Sequence, residues 1–239
     1  MIGILGGMGP LATADFFNKL IAATVAGNDE DHVPVLIQSD PRIPSRPAAI
    51  LHNGESPLAA LLEGRDRLIA AGALALAMPC NTAHYWFKQL QANCPVPFLS
   101  IVDATCDEVA QRAPAGASIG LIATGATLAT HLFDHRLEAM GLVPIFPTED
   151  EMASLVLPAI AMVKAGKALQ GGQLVEQAVA ALLARGASAV LLACTETPLA
   201  LDATQSELRK DCVDSTGALA RRCVQWWQQW QLSQAQSST

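Results

Sequence analysis

The chain repeats itself, and that repeat limits its possible folds more than any other feature. Ile2-Gly3-Ile4-Leu5 followed by Leu11-Ala12-Thr13 recurs 117 positions later as Ile119-Gly120-Leu121-Ile122 followed by Leu128-Ala129-Thr130. Cys80-Asn81-Thr82 is answered by Cys194-Thr195-Glu196 at offset 114, and Val102-Asp103-Ala104-Thr105 by Val213-Asp214-Ser215-Thr216 at offset 111. One such match is chance. Three in the same order, at nearly constant offset, predict two similar halves.

Within each half, short apolar runs end at glycine or polar residues and give way to helical spacing. Strands are predicted over 2–5, 33–38, 73–78, 98–102, 118–123, 143–146 and 189–193. Helices are predicted over 11–26, 57–71, 82–92, from a cap at Asp103 onward, and over 124–141, 148–166, 173–185 and 216–231. Asn81 or Thr82 is the expected cap of the helix over 82–92. Three prolines between Pro41 and Pro47 predict a stiff loop over 40–47 without regular structure. Residues 231–239 read as a frayed polar tail. Trp226, Trp227 and Trp230 read as packing residues, against the body or a partner subunit.

This alternation predicts an α/β protein with two similar domains and mostly parallel sheets, related by pseudo-two-fold symmetry. The expected division is 1–98 plus 212–239, with the C-terminal helix crossing back, and 99–211. The carboxyl ends of the strands would face a shared cleft, the usual ligand position in open α/β sheets.

Composition removes several classes. Half the residues are hydrophobic, enough for a core, and 22 acidic residues outnumber 15 Lys and Arg, for a net charge of −7. A nucleic-acid partner would require a basic face. The N-terminus lacks the basic region of a signal peptide, and no apolar run reaches bilayer length. The expectation is a soluble, cytoplasmic protein without a membrane partner. In that reducing compartment six cysteines read as free thiols. Their irregular spacing, without C-x-x-C, argues against a metal site.

Two of the cysteines stand apart. The apolar run from Gly72 to Met78 delivers Cys80, and the run from Ser188 to Ala193 delivers Cys194. Each lies where a buried strand ends and polar residues begin, in matching halves. Two opposed thiols suit a reaction that removes a proton from one face of a carbon and returns one to the other, because each serves as thiolate base or thiol acid. Cys80 precedes a helix start, so the helix dipole is expected to favour its thiolate. Cys94, Cys106, Cys212 and Cys223 have weaker contexts and read as packing or surface residues.

Gly6-Gly7-Met8-Gly9-Pro10, Cys80-Asn81-Thr82-Ala83-His84 and Cys194-Thr195-Glu196 resemble the cofactor-independent aspartate/glutamate racemase superfamily, and its aspartate branch above all. The resemblance runs from Met1 to about Ala220. It implies two α/β domains, a homodimer, an acidic amino acid as substrate, and catalysis by Cys80 and Cys194 as an acid/base pair. Neither pyridoxal phosphate, another cofactor nor a metal is implied. It also implies that Arg46, in Asp40-Pro41-Arg42-Ile43-Pro44-Ser45-Arg46, and Lys164, in Val163-Lys164-Ala165-Gly166, bind the substrate's side-chain carboxylate. Ser45 stands where an aspartate often precedes the arginine.

Backbone N–H groups around Met8 and Gly9 and of Asn81, Thr82 and Thr195, with the hydroxyls of Thr124 and Thr195, are candidates to hold the α-carboxylate. Glu196 reads either as acceptor of an ammonium proton or as an ordinary helix-start carboxylate. His84, one turn after Cys80, is a candidate to tune that thiol. Two alternatives stay open. One is another reaction on the same scaffold: hydantoin racemisation, maleate isomerisation or arylmalonate decarboxylation. The other is a non-catalytic small-anion or nucleotide binder, weakened by the absence of G-x-G-x-x-G and G-x-x-x-x-G-K-[ST].

Overall fold

In the computed structural model, which describes residues 1–237, the repeat is a repeat of topology. The first sheet contains β1 (Ile2–Gly6), β2 (Val35–Ser39), β3 (Ala75–Ala77) and β4 (Phe98–Leu99), in the order β2-β1-β3-β4. The second contains β5 (Ser118–Ala123), β6 (Val143–Ile145), β7 (Ala189–Ala193) and β8 (Cys212–Asp214), in the equivalent order β6-β5-β7-β8. Every pairing is parallel. The central strands β1, β3 and β7 are buried along their whole length, as strands covered on both faces must be.

The helices among the first strands are α1 (Pro10–Ala23), α2 (Arg46–Leu51), α3 (Leu58–Ala70) and α4 (Phe87–Gln91), followed by α5 (Ile101–Arg112). The second sheet is interleaved with α6 (Gly125–Ala129), α7 (Asp134–Ala139), α8 (Glu149–Glu151), α9 (Leu157–Lys164), α10 (Ala168–Ala184) and α11 (Glu196–Thr204). The last helix, α12 (Ser215–Ser237), crosses back to pack on α1 as well as α5. Among the described residues no helix is long and apolar enough to cross a membrane.

Strand alternation sorts the core. Ile2 and Ile4 of β1 join Ile119 and Leu121 of β5 in one apolar cluster that also takes Phe16, Leu219 and Trp227. Leu5 turns the other way, into a cluster with Leu61, Leu76 and Met78. Ile122 does the same in the second half, with Val175, Val179 and Leu192. The shared cluster joins the two sheets. The tryptophans of α12 belong to it: Trp227 is buried, and Trp226 and Trp230 lie against it.

Several elements differ from the sequence reading. The segment 40–47 does not remain irregular throughout, because α2 begins at Arg46 with Pro47 in its first turn, where a missing N–H costs nothing. Strand β4 stops at Leu99, and Ser100, not Asp103, caps α5 by accepting the Asp103 N–H at 3.1 Å. The helix over 82–92 starts as a 3-10 turn, Thr82–Trp86, before α4. The region 124–141 divides into α6 and α7 around His131, whose φ is +54°. The helix begun at Thr148 passes through a π-helical segment, Met152–Val156, before α9.

Helix α10 starts before Gln173 because Gly171 and Gly172 are contact points and not breaks. A Cβ on Gly172 would stand 2.3 Å from the Ala200 carbonyl oxygen of α11. Strand β8, which the sequence reading did not predict, opens the segment 212–239 assigned to the first half, and it is hydrogen-bonded to β7 of the second sheet. The crossover starts after it. Residues 231–237 of the expected tail continue α12, while 238–239 lie outside the described residues.

Candidate functional site

The polar turn after each third strand builds the site. β3 ends at Ala77, and the chain turns at Met78, whose carbonyl accepts the Cys80 N–H at 2.8 Å. β7 runs directly into Cys194. Both thiols are buried, and both line one small cavity of about 40 Å³. Asn81, Thr82 and Thr124 line it beside Cys80, Thr195 and Glu196 beside Cys194, and Met8, Arg46 and Lys164 are part of the same wall. Gly9 is elsewhere. It lines an adjoining cavity of about 320 Å³, which shares Met8, Arg46, Lys164 and Glu196 with the first. Small-molecule pockets usually span about 300–1,000 Å³. The inner space alone is too small for such a ligand, and the two together are not.

Gly7 shapes the entrance. Its φ of +96° suits glycine, and a Cβ there would stand 2.4 Å from the backbone of Asp40. The glycine lets the loop after β1 lie against the strand end that leads to Arg46. Ser45 caps α2 by accepting the Ala48 N–H at 3.3 Å, which sets Arg46 at the helix start. Arg46 Nη1 donates to the Ile43 and Pro44 carbonyls, both at 2.8 Å. Its Nε is buried without a partner. An unpaired guanidinium N–H in a cavity wall is a standing demand for an acceptor.

The two thiols differ in their surroundings. Burial raises Cys80 above an ordinary cysteine, opposed by the positive charge of Arg46 and a hydrogen bond from the Ala83 N–H. The expected lowering by a helix dipole does not prevail: a short 3-10 turn follows, and desolvation of the thiolate outweighs it. Burial raises Cys194 well above its ordinary value, and the negative charge of Glu196 adds to the rise. The Cys194 thiol donates to Glu196 Oε2 at 3.1 Å, and the Thr195 hydroxyl donates to the same oxygen at 3.0 Å. Lys164 Nζ lies 3.9 Å from Glu196 Oε1, a loose pair on a half-exposed lysine. Cys80 is thus the thiol beside a cation, and Cys194 the thiol beside an anion.

His84 does not face the Cys80 thiol. Its Nε2 accepts the Ile101 N–H at 3.1 Å, so Nδ1 bears the proton and donates to the Cys80 carbonyl at 2.8 Å. Burial holds this ring neutral, with its pKa lowered to about 4. It ties the backbone of Cys80 to the start of α5.

Three residues of the site were not singled out from sequence. Thr127 joins Thr82 at 2.7 Å and Thr124 at 2.9 Å, so three hydroxyls connect the halves at the cavity edge. A threonine three positions after Thr124, on the turn leaving β5, was the available signal. Ser215 accepts from Asn81 Nδ2 at 3.0 Å across 134 residues, and Asn81 Oδ1 remains buried without a partner. Only the repeat around Val213 pointed there. Pro47 lines the inner cavity beside Arg46. Among the described residues no group of three or more His, Cys, Asp or Glu is placed to hold a metal ion.

A model of the Asp/Glu/Hydantoin racemase family matches residues 5–223. The broad specificity amino-acid racemase of Bacillus subtilis (strain 168) is 31% identical over 228 residues, covering 94% of this chain and 96% of the relative. The structure of Picrophilus torridus aspartate racemase is 32% identical, with a TM-score of 0.83 over 95% of this chain and 93% of that one. Francisella tularensis glutamate racemase, solved in complex with D-glutamate, shares the fold at 15% identity, with a TM-score of 0.68 over 97% and 82%.

Proposed function

Because the chain belongs to the Asp/Glu/Hydantoin racemase family, and is therefore an isomerase, we propose that it interconverts L- and D-aspartate by proton transfer between Cys80 and Cys194 without a cofactor. The observation that carries this reading is the single cavity lined by both thiols and flanked by Arg46 and Lys164.

The unequal surroundings support unequal roles. Cys80, beside Arg46, is the thiol that gives up its proton first and, as thiolate, takes the α-proton. Cys194, held protonated by Glu196, delivers a proton to the opposite face. The reverse reaction exchanges the roles. As the α-proton leaves, negative charge moves onto the α-carboxylate, where the hydroxyls of Thr82 and Thr124 are positioned to donate. Asn81 Oδ1 accepts from the ammonium group. Arg46 Nε and Lys164 take the side-chain carboxylate, the first through a directed hydrogen bond and the second as a mobile charge. Glu196 serves Cys194 in this scheme, not the ammonium.

Incubating L-aspartate with the protein in deuterated water is expected to yield α-deuterated D-aspartate, detected by chiral chromatography and mass spectrometry. D-aspartate that retains its original α-proton, or no D-aspartate at all, overturns the two-base reading.

The pH dependence follows from the thiols. Activity requires one thiolate and one thiol, and both groups titrate above the ordinary cysteine range. Below the pKa of Cys80, kcat/KM for aspartate should rise about tenfold per pH unit. Arg46→Gln removes the cation that opposes the rise of Cys80 and should move this limb to higher pH. An unmoved limb in that variant separates Arg46 from the Cys80 thiolate.

The outer cavity favours a second reading. Leu11, Pro41, Val163 and Leu199 give it apolar walls, which suit side chains longer and less polar than that of aspartate. A broad-specificity amino-acid racemase uses that space. A higher kcat/KM for a neutral amino acid than for aspartate selects this alternative.

A further inference from the structure

A concentration of positive charge lies away from the cleft. Lys19 of α1, Arg112 of α5, Arg209 and Lys210 of the turn Glu207–Asp211, and Arg221 of α12 surround a cavity of about 540 Å³. It shares no lining residue with either cavity of the cleft. Glu108 and Asp214 are its lining carboxylates. Five cations line it against two carboxylates, and with Asp15 and Asp202, which pair with Lys19 and Arg209 from outside the lining, the balance stays one positive charge in a chain with net −7.

The ion pairs neutralise two of these cations, Lys19 and Arg209, and leave the other three open to a ligand. Asp214 binds Lys19 and Arg209, each at 2.8 Å, and fixes both at the cavity floor. Lys19 and Arg209 also pair with Asp15 and Asp202, outside the lining. Glu108 takes Arg221 through Nε and Nη2, and Arg112 through Nη2. Arg112 and Arg221 remain half exposed; Arg112 Nη1 donates only a long bond, 3.4 Å, to the Cys212 carbonyl, and Arg221 Nη1 lies outside the Glu108 pairs. Lys210 is exposed and makes no ion pair among the described residues. Three separate elements therefore present an available cation to one concave space.

We propose that this cavity binds a small phosphate-bearing organic anion with two or more negative charges. Cations converging from α5, α12 and the turn before β8 match oxygens that point in several directions, as phosphoryl groups offer. A carboxylate presents two oxygens in one plane. The volume exceeds what inorganic phosphate fills and lies in the ordinary range for small molecules, about 300–1,000 Å³. The occupant would join α1, which packs among the first strands, to β8 of the second sheet and to α12.

Calorimetric titration of the full chain at low salt, with inorganic pyrophosphate as probe, tests this. One saturable site per chain is expected, weakened at least tenfold in Lys210→Glu and in Arg221→Gln, with citrate binding at least tenfold more weakly than pyrophosphate. Lys210 is exposed and unpaired, so its variant should keep the wild-type melting temperature and racemase rate. No saturable binding overturns the proposal, as does affinity unchanged in both variants. Citrate equal to pyrophosphate overturns the phosphate assignment. Binding retained in Cys80→Ala separates this site from the racemase reading, since the heat of binding does not depend on turnover.

Discussion

Replacing Cys80 or Cys194 with alanine is expected to lower racemisation of aspartate by about 10²–10⁴-fold in both directions, the range for loss of a positioned acid or base. Inversion requires a proton removed from one face and one delivered to the other. Loss of either thiol therefore interrupts the reaction from L and from D alike. The double variant should be little worse than either single one, because the two groups act as a unit. Cys106→Ala supplies the control. That thiol is fully buried in the shared core and raised to about 12, with no place in the cleft. Its removal should cost about 1 kcal/mol of stability and leave the rate intact. Chiral chromatography of product, with circular dichroism melts of each variant, separates lost chemistry from lost fold. Undiminished turnover in Cys80→Ala or Cys194→Ala sinks the two-thiol mechanism.

The cleft was legible because its chemistry lies at strand ends. A buried strand is a continuous apolar run, and the first polar residues after it mark where the chain meets the cleft. Cys80 and Cys194 were visible in this way, and the repeat paired them. What sequence could not supply was direction. His84 follows Cys80 by one helical turn, yet its ring bonds the carbonyl and not the thiol, because a 3-10 turn begins at Thr82 in place of an α-helix. The sign of the Cys80 shift was misread for a related reason. A dipole is inferred from an expected helix, whereas burial depends on every element packed around the sulfur. Ser215 was hidden by distance: its bond to Asn81 spans 134 residues, and the repeat around Val213 marks the segment without marking the contact. Helix α2 was obscured by its proline, since Pro47 reads as a breaker until the first turn is known to tolerate it.

Asp214→Ala is expected to destabilise the chain by about 3 kcal/mol, near the lower end of the cost of breaking a buried ion pair from one side. The carboxylate is buried and serves two purposes. Its Oδ1 accepts from the Thr216 N–H at 2.9 Å, the Thr216 hydroxyl at 2.8 Å and the Gly217 N–H at 3.2 Å, satisfying the start of α12. Its Oδ2 faces Lys19 and Arg209. Both cations retain another carboxylate, Asp15 or Asp202, which keeps the expected cost from reaching the upper end. Burial raises the pKa of Asp214, but Lys19, Arg209 and the Thr216 hydrogen bond oppose it, and the net shift is downward. A carboxyl lowered by folding stabilises above its unfolded pKa of about 4, and that contribution fades as pH falls through the lowered folded value. Urea unfolding between pH 7 and pH 3 should therefore show a steeper acid-side loss in the wild type than in Asp214→Asn, which keeps an oxygen for the cap but carries no charge. A loss below about 0.5 kcal/mol in Asp214→Ala at pH 7 would mean that these pairs contribute nothing net. The same substitution reaches the cleft. Ser215 is the next residue and binds Asn81, which adjoins Cys80. Loosening the start of α12 should therefore lower kcat/KM for aspartate, although Asp214 lines neither cavity of the cleft.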